Sequence, residues 1–199
     1  MKLYYATGTC ALSPHIALLE SGQKFELEKV DIRAKKLSDG SDYLRINPKG
    51  YVPALQTDDG KILTEGPVLV QYIADRKPES GIAPPAGTFE RYQLQEWLNF
   101  ISTEVHKQFS PLFNPSLSQE AKEYNRGNLT RRFDYLNKLL EGRKFLFSDH
   151  FTVADGYLYT VLNWARPMGM DLARWPALAA YHAGIGARPK VQEAVNAEK

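Results

Sequence analysis

The hydrophobic positions fall into two regimes. From Leu3 to Ile73 short apolar runs alternate with turns. Leu3-Tyr4-Tyr5-Ala6 suits a buried strand and Thr7-Gly8-Thr9 a loop. Ser13-Pro14 gives an N-cap and a proline at the first helical position, ahead of Ile16, Leu18 and Leu19 and a stop at Gly22. Phe25 to Ile32 alternates apolar and polar residues as a half-buried strand does. Arg33 to Leu44 is polar and reads as a loop with a short helix. Val52-Pro53-Ala54-Leu55, a turn at Asp58-Asp59-Gly60 and Ile62-Leu63-Thr64 then make a hairpin. Pro67 restarts a helix in which Val68, Leu69, Tyr72 and Ile73 share one face. The order is βαβ-α-ββα.

Lys77 to Gly87 carries Pro78, Gly81, Pro84, Pro85 and Gly87, the clearest linker in the chain. This predicts an α/β domain over residues 1–77, a linker over 78–87 and a second domain over 88–199. In the second regime no strand pattern competes with helical periodicity, which covers about Thr88–Gln108, Gln119–Leu140, Thr152–Arg166 and Pro176–Ala187, with a short helix after Pro189. The second domain is therefore expected to be all helical. In its first helix Trp97, Leu98, Ile101 and Val105 form an apolar stripe, while Asn99, Thr103 and His106 fall on another face. Thr152-Val153-Ala154-Asp155 is a capping pattern ahead of Tyr157, Leu158, Val161 and Leu162.

Composition narrows the function classes. Of 199 residues 25 are basic and 23 acidic, interspersed to a net charge of +2, so there is no basic face of the kind nucleic acid needs. No run approaches the ~20 apolar residues of a membrane span, and Gly8, Ser13 and Pro14 interrupt any signal-peptide core. A cytoplasmic protein without nucleic-acid or membrane partners is expected. The single cysteine, Cys10, rules out an internal disulfide and points to a reducing compartment. His15, His106, His150 and His182 lack ligand spacing, so no metal site is expected.

Candidate chemistry sits at four places. Cys10-Ala11-Leu12-Ser13 has the Cys-x-x-Ser form that opens the first helix of thioredoxin-like folds, where helix amides favour a thiolate. Packing, catalysis and a mixed disulfide are all open to this cysteine. Val52-Pro53 is either an ordinary strand entry or, if cis, a strand end that offers Val52's N–H and C=O to an extended peptide. Thr64-Glu65-Gly66-Pro67 is either a plain helix cap or a carboxylate for an ammonium beside helix amides for a carboxylate. His106, with Lys107 beside it, is either a surface histidine or part of a patch that receives a thiolate. Phe109, Phe113, Tyr157 and Trp164 are expected to be mostly core.

Taken together these segments resemble the glutathione transferases, most closely the bacterial beta class, over essentially the whole chain. The resemblance rests on Cys10 with Ser13-Pro14-His15-Ile16, Asn47-Pro48-Lys49-Gly50-x-Val52-Pro53, Leu63-Thr64-Glu65-Gly66, Glu96-Trp97-Leu98-Asn99-Phe100, His106-Lys107, and Asp149-x-Phe151-Thr152-Val153-Ala154-Asp155. It implies a thioredoxin-like domain followed by a helical domain, a homodimer, and conjugation of the co-substrate glutathione to a hydrophobic electrophile. Monothiol exchange through Cys10 and non-catalytic binding are the alternatives. It further implies that Cys10 and His106 approach the glutathione sulfur and that Val52, before a cis Pro53, pairs with the cysteinyl part. Glu65 and Gly66 would hold the γ-glutamyl end, with Lys35 near a carboxylate and Asn99, Thr103, Glu104 and Lys107 lining the site. Tyr5, Thr7 and Thr9 lie near where other classes keep a catalytic hydroxyl. Three positions depart from the pattern: Ser148 replaces a usual glycine, Gly66 lacks a hydroxyl, and Ala11 stands where serine is frequent.

Overall fold

A computed structural model describes all of residues 1–199. Five strands form one sheet: β1 (Lys2–Tyr5), β2 (Glu26–Asp31), β3 (Lys36–Leu37), β4 (Ala54–Gln56) and β5 (Ile62–Thr64), in the order β3-β2-β1-β4-β5. β1 is the central strand, parallel to β2 and antiparallel to β4, which turns back antiparallel into β5. Its apolar run has partners on both sides: Leu3 lies opposite Leu27 and Leu55. Leu3 and Leu55 join the large core, while Tyr4, Val30 and Ala54 join a small cluster around Tyr43. The sheet is thereby covered on two faces.

The edge strand β3 departs from the loop expected over Arg33–Leu44. It is only two residues long, pairing Val30 with Leu37 and Asp31 with Lys36, too short for any alternation to mark it. The expected short helix is the 3-10 turn Tyr43–Arg45. The first helix, α1 (Leu12–Glu20), also begins earlier than the Ser13 cap predicts. Thr9 provides the local closure instead, since its Oγ1 accepts from the Ala11 N–H at 3.3 Å and its carbonyl from the Leu12 N–H at 3.4 Å. Ser13 is left inside the helix, its buried hydroxyl without a partner.

The second half is helical. It comprises α3 (Phe89–Phe100), a π-helical segment Ile101–His106 continued by the single turn α4 (Lys107–Phe109), α5 (Gln119–Leu139), α6 (Val153–Leu162), α7 (Pro176–Gly186) and α8 (Pro189–Ala197). It follows α2 (Gly66–Arg76) and the proline-rich connection. Thr88 caps α3, its hydroxyl accepting from the Arg91 N–H. The buried Arg91 guanidinium donates to the Asp75 carboxylate and to the Pro84 carbonyl (2.8 Å), tying α3 to α2 and to the connection at once. α6 is buried along its whole length and packs on α1. One apolar core runs through both halves, joining Leu3, Ile16, Leu18, Leu69 and Ile73 to Leu98, Leu129, Phe133, Leu158 and Ile185.

Asp155 carries out the predicted capping of α6 and more. Its two carboxylate oxygens accept from the Thr152 N–H (2.8 Å) and hydroxyl (3.1 Å), the Leu146 N–H (2.8 Å) and the Tyr181 hydroxyl (2.9 Å), all in the interior. Ser148, at the expected glycine position, has an ordinary negative φ and donates to the His150 carbonyl at 2.6 Å. The substitution causes no backbone strain.

Candidate active site

The edge of the sheet and the π-helical segment enclose a cavity of about 520 Å³, within the range of small-molecule sites. The first half contributes Cys10, Lys49, Val52, Pro53, Glu65 and Gly66, and the second half contributes Ser102, His106, Lys107 and Tyr157. A larger recess of about 890 Å³ lies beside the proline-rich connection and contains none of the predicted site residues.

Each wall follows from local chain geometry. The Val52-Pro53 peptide is cis. Asn47 Nδ2 donates to the Tyr51 carbonyl at 2.8 Å, and Gly50 at φ +69° closes the turn where a Cβ would lie 3.2 Å from Leu44. Glu65 precedes α2 at φ +71°, a region L residues rarely adopt, and its carboxylate accepts from Lys49 Nζ at 2.7 Å. Ser102, His106 and Ser110 recur at steps of four, and Ile101, Val105 and Phe109 do the same on the buried side. The first trio is a polar stripe visible in the sequence.

Several predicted residues stand elsewhere. Asn99 and Thr103 are exposed, with the Thr103 hydroxyl donating to the Asn99 carbonyl. Glu104 accepts from Arg132 Nε at 2.8 Å. Lys35 donates to the Gly50 carbonyl at 2.7 Å, behind the Tyr51 turn. None of the four lines the cavity. Thr7 and Thr9 spend their hydroxyls on the carbonyls of Glu198 (2.6 Å) and Ala6 (2.7 Å), and neither they nor Tyr5 reach it. Lys49, Ser102, Ser110 and Tyr157 are polar contributors that sequence reasoning missed.

The titratable groups are set by burial. The Cys10 Sγ donates to the Val52 carbonyl at 3.5 Å. Removal from water pushes its thiol up to about 12, the Glu65 carboxylate adding to the shift and a backbone N–H opposing it. This runs against the thiolate expected from the helix-start position, desolvation outweighing the helix amides. Burial, helped by Lys107, lowers the His106 imidazole to about 4, so it is neutral at physiological pH. Burial also raises the Tyr157 phenol. His106 Nδ1 and the Tyr157 hydroxyl are 2.7 Å apart.

Two family models match the chain: Glutathione S-transferase, N-terminal domain, over residues 7–76, and Glutathione S-transferase, C-terminal domain, over residues 100–189. The chain belongs to the glutathione S-transferase family. It is 44% identical over 198 residues to glutathione S-transferase GstA of Escherichia coli O157:H7, spanning 100% of this chain and 98% of that one. A sphingomonad glutathione S-transferase complexed with glutathione superposes with a TM-score of 0.97 at 46% identity, covering 100% of this chain and 98% of that one. The beta class glutathione S-transferase of Sphingomonas chungbukensis superposes at 0.96 with 43% identity and the same coverage. The thioredoxin-like half followed by a helical half is thus the glutathione S-transferase fold.

For this transferase the raised Cys10 thiol has a measurable consequence. Alkylation of Cys10 by iodoacetamide in the unliganded protein should keep accelerating with pH toward about 12. A plateau with its midpoint at or below ~8.5, the value of a free cysteine, would contradict the assignment.

Proposed function

We propose that the protein binds glutathione in this cavity as the thiolate and transfers its sulfur to an electrophilic carbon of a small hydrophobic molecule. The observation that carries this reading is the convergence, on one cavity, of a strand-end backbone at Val52 whose N–H is unpaired, a carboxylate at a helix start, and Cys10 with His106. The Val52 N–H and C=O pair with the cysteinyl unit as a neighbouring strand would. The Glu65 carboxylate receives the γ-glutamyl ammonium, and the α2 amides beginning at Gly66 receive its carboxylate. Losing a hydroxyl at position 66 leaves those amides in place.

The glutathione thiol gives its proton to solvent. The resulting thiolate, held by donors from His106 and the Cys10 thiol, then attacks carbon. A C–S bond forms as the bond to the leaving group breaks, and the leaving group departs with the electron pair. Monothiol exchange is the weaker reading, since a Cys10 thiol raised to about 12 is a poor initiating nucleophile. Calorimetric titration with glutathione, followed by assay against a panel of activated aromatic and alkyl halides, tests the proposal. Saturable binding with thioether formation is expected, and absence of turnover with every electrophile rejects it.

The proposal includes a homodimer. Tyr51 (71%), Phe89 (74%) and Tyr92 (61%) are large side chains that one subunit leaves in water. Sedimentation should give twice the monomer mass, and Tyr51→Ser should shift the protein toward monomer. No helix is long and apolar enough to cross a membrane. A cytoplasmic setting suits the free Cys10 and a reduced thiol substrate.

A further inference from the structure

His106 is enclosed by two aromatic rings. Tyr157 meets the imidazole edge-on at 5.8 Å and Trp164 at 4.9 Å, and Trp164 Nε1 is itself fixed by donating to the Gly8 carbonyl at 2.9 Å. The ring has little freedom between them, so its chemistry depends on which nitrogen carries the hydrogen. Tyr157 is 2% exposed, yet its hydroxyl reaches the cavity and lies 2.7 Å from Nδ1. A neutral imidazole nitrogen is a better acceptor than a phenol oxygen, and a phenol O–H a better donor than an imidazole N–H.

We propose that Tyr157 is a positioning residue: its hydroxyl donates to Nδ1 of His106 and so holds the imidazole hydrogen on Nε2, as a donor for the glutathione sulfur. The proposal rests on the transferase reading for its substrate. In the free protein it concerns only the imidazole. With Nε2–H available, His106 stabilises the thiolate rather than accepting its proton. Without the phenol, both tautomers are populated, and the form with a bare Nε2 faces the sulfur with a lone pair.

Nitrogen chemical shifts of His106 in the unliganded protein read the tautomer directly. The wild type should show Nε2–H, and Tyr157→Phe a mixture. Tyr157→Phe should also lower kcat/KM about tenfold at neutral pH, the worth of one such hydrogen bond. The KM for glutathione should be unchanged, while the rising limb of the pH profile moves up by about one unit. In a His106→Ala background Tyr157→Phe should have no further effect. An Nδ1–H tautomer in the wild type overturns the proposal, and that measurement requires no variant to fold. An unmoved pH profile, or a Tyr157→Phe effect that persists without His106, overturns it as well. If the wild type conjugates nothing, the transferase reading fails while the nitrogen shifts still decide the role of Tyr157.

Discussion

Asp155→Ala is expected to destabilise the protein by about 3–5 kcal/mol, because it removes a helix cap worth ~1 kcal/mol and strands interior donors at ~1–3 kcal/mol each. Three of those donors are not on the capped helix's own first turn in any removable sense: the Leu146 and Thr152 amides are backbone, and the Tyr181 hydroxyl is anchored by its buried ring. The sum stays below the simple total because the variant no longer buries a carboxylate, whose ionised form desolvation disfavours. For a chain of this size the melting temperature should fall by about 10 °C. Two variants grade the effect. Asp155→Asn keeps one carbonyl oxygen but turns an NH2 toward existing donors, so it should lose a large part of the same stability. Thr152→Ala, which removes one of the four donors, should lose about 1 kcal/mol. Chemical denaturation of the three variants checks the order, and equal losses for Thr152→Ala and Asp155→Ala would refute it.

Glu65→Gln should weaken glutathione binding by about 10- to 100-fold, the range of a hydrogen bond to a charged group. Stability should hardly change. The Lys49–Glu65 pair is 53% and 65% exposed, and such pairs contribute ~0–1 kcal/mol. Glu65→Gly separates binding from backbone. At φ +71° and ψ +109° the glutamate backbone carries strain on the order of 1–3 kcal/mol, which glycine relieves at a chain-entropy cost of ~1 kcal/mol. Affinity should therefore drop as far as with Gln in a protein that melts no lower than the wild type. Calorimetry paired with thermal melts tests both variants, and wild-type affinity in Glu65→Gln would remove the carboxylate from the proposed role. A carboxylate held at an unfavourable backbone angle, with only an exposed lysine as partner, is more simply explained by ligand binding than by the fold.

The strand-helix-strand order, the hairpin, the helical second half and the Thr152–Asp155 cap were legible from periodicity and capping residues, which are local signals. What escaped was decided by tertiary contact. β3 exists because Val30 and Leu37 meet across the sheet edge, and two residues carry no period. The protonated state of Cys10 follows from burial by segments distant in sequence, which a helix-start rule does not contain. Asn99 and Thr103 were grouped with His106 by counting 3.6 residues per turn through a stretch whose backbone is π-helical. Tyr157 looked like core and is core, apart from one oxygen that reaches the cavity.

The wider turn at Ile101–His106 also sets how this cavity tolerates changes in chain length. Most insertions and deletions are absorbed by surface loops, but a π turn is one residue from an ordinary helix. Deleting a residue there would let the segment close into an ordinary α-helix, and because a π turn holds one extra residue, the chain on either side would keep nearly the same phase. Phe89–Phe100 and the helix from Lys107 onward would keep their packing, and the effect would be confined to the side chains of the segment itself, Ser102 and His106 of the cavity wall among them. The segment is thus where the cavity wall can change by one residue without moving the helices on either side of it.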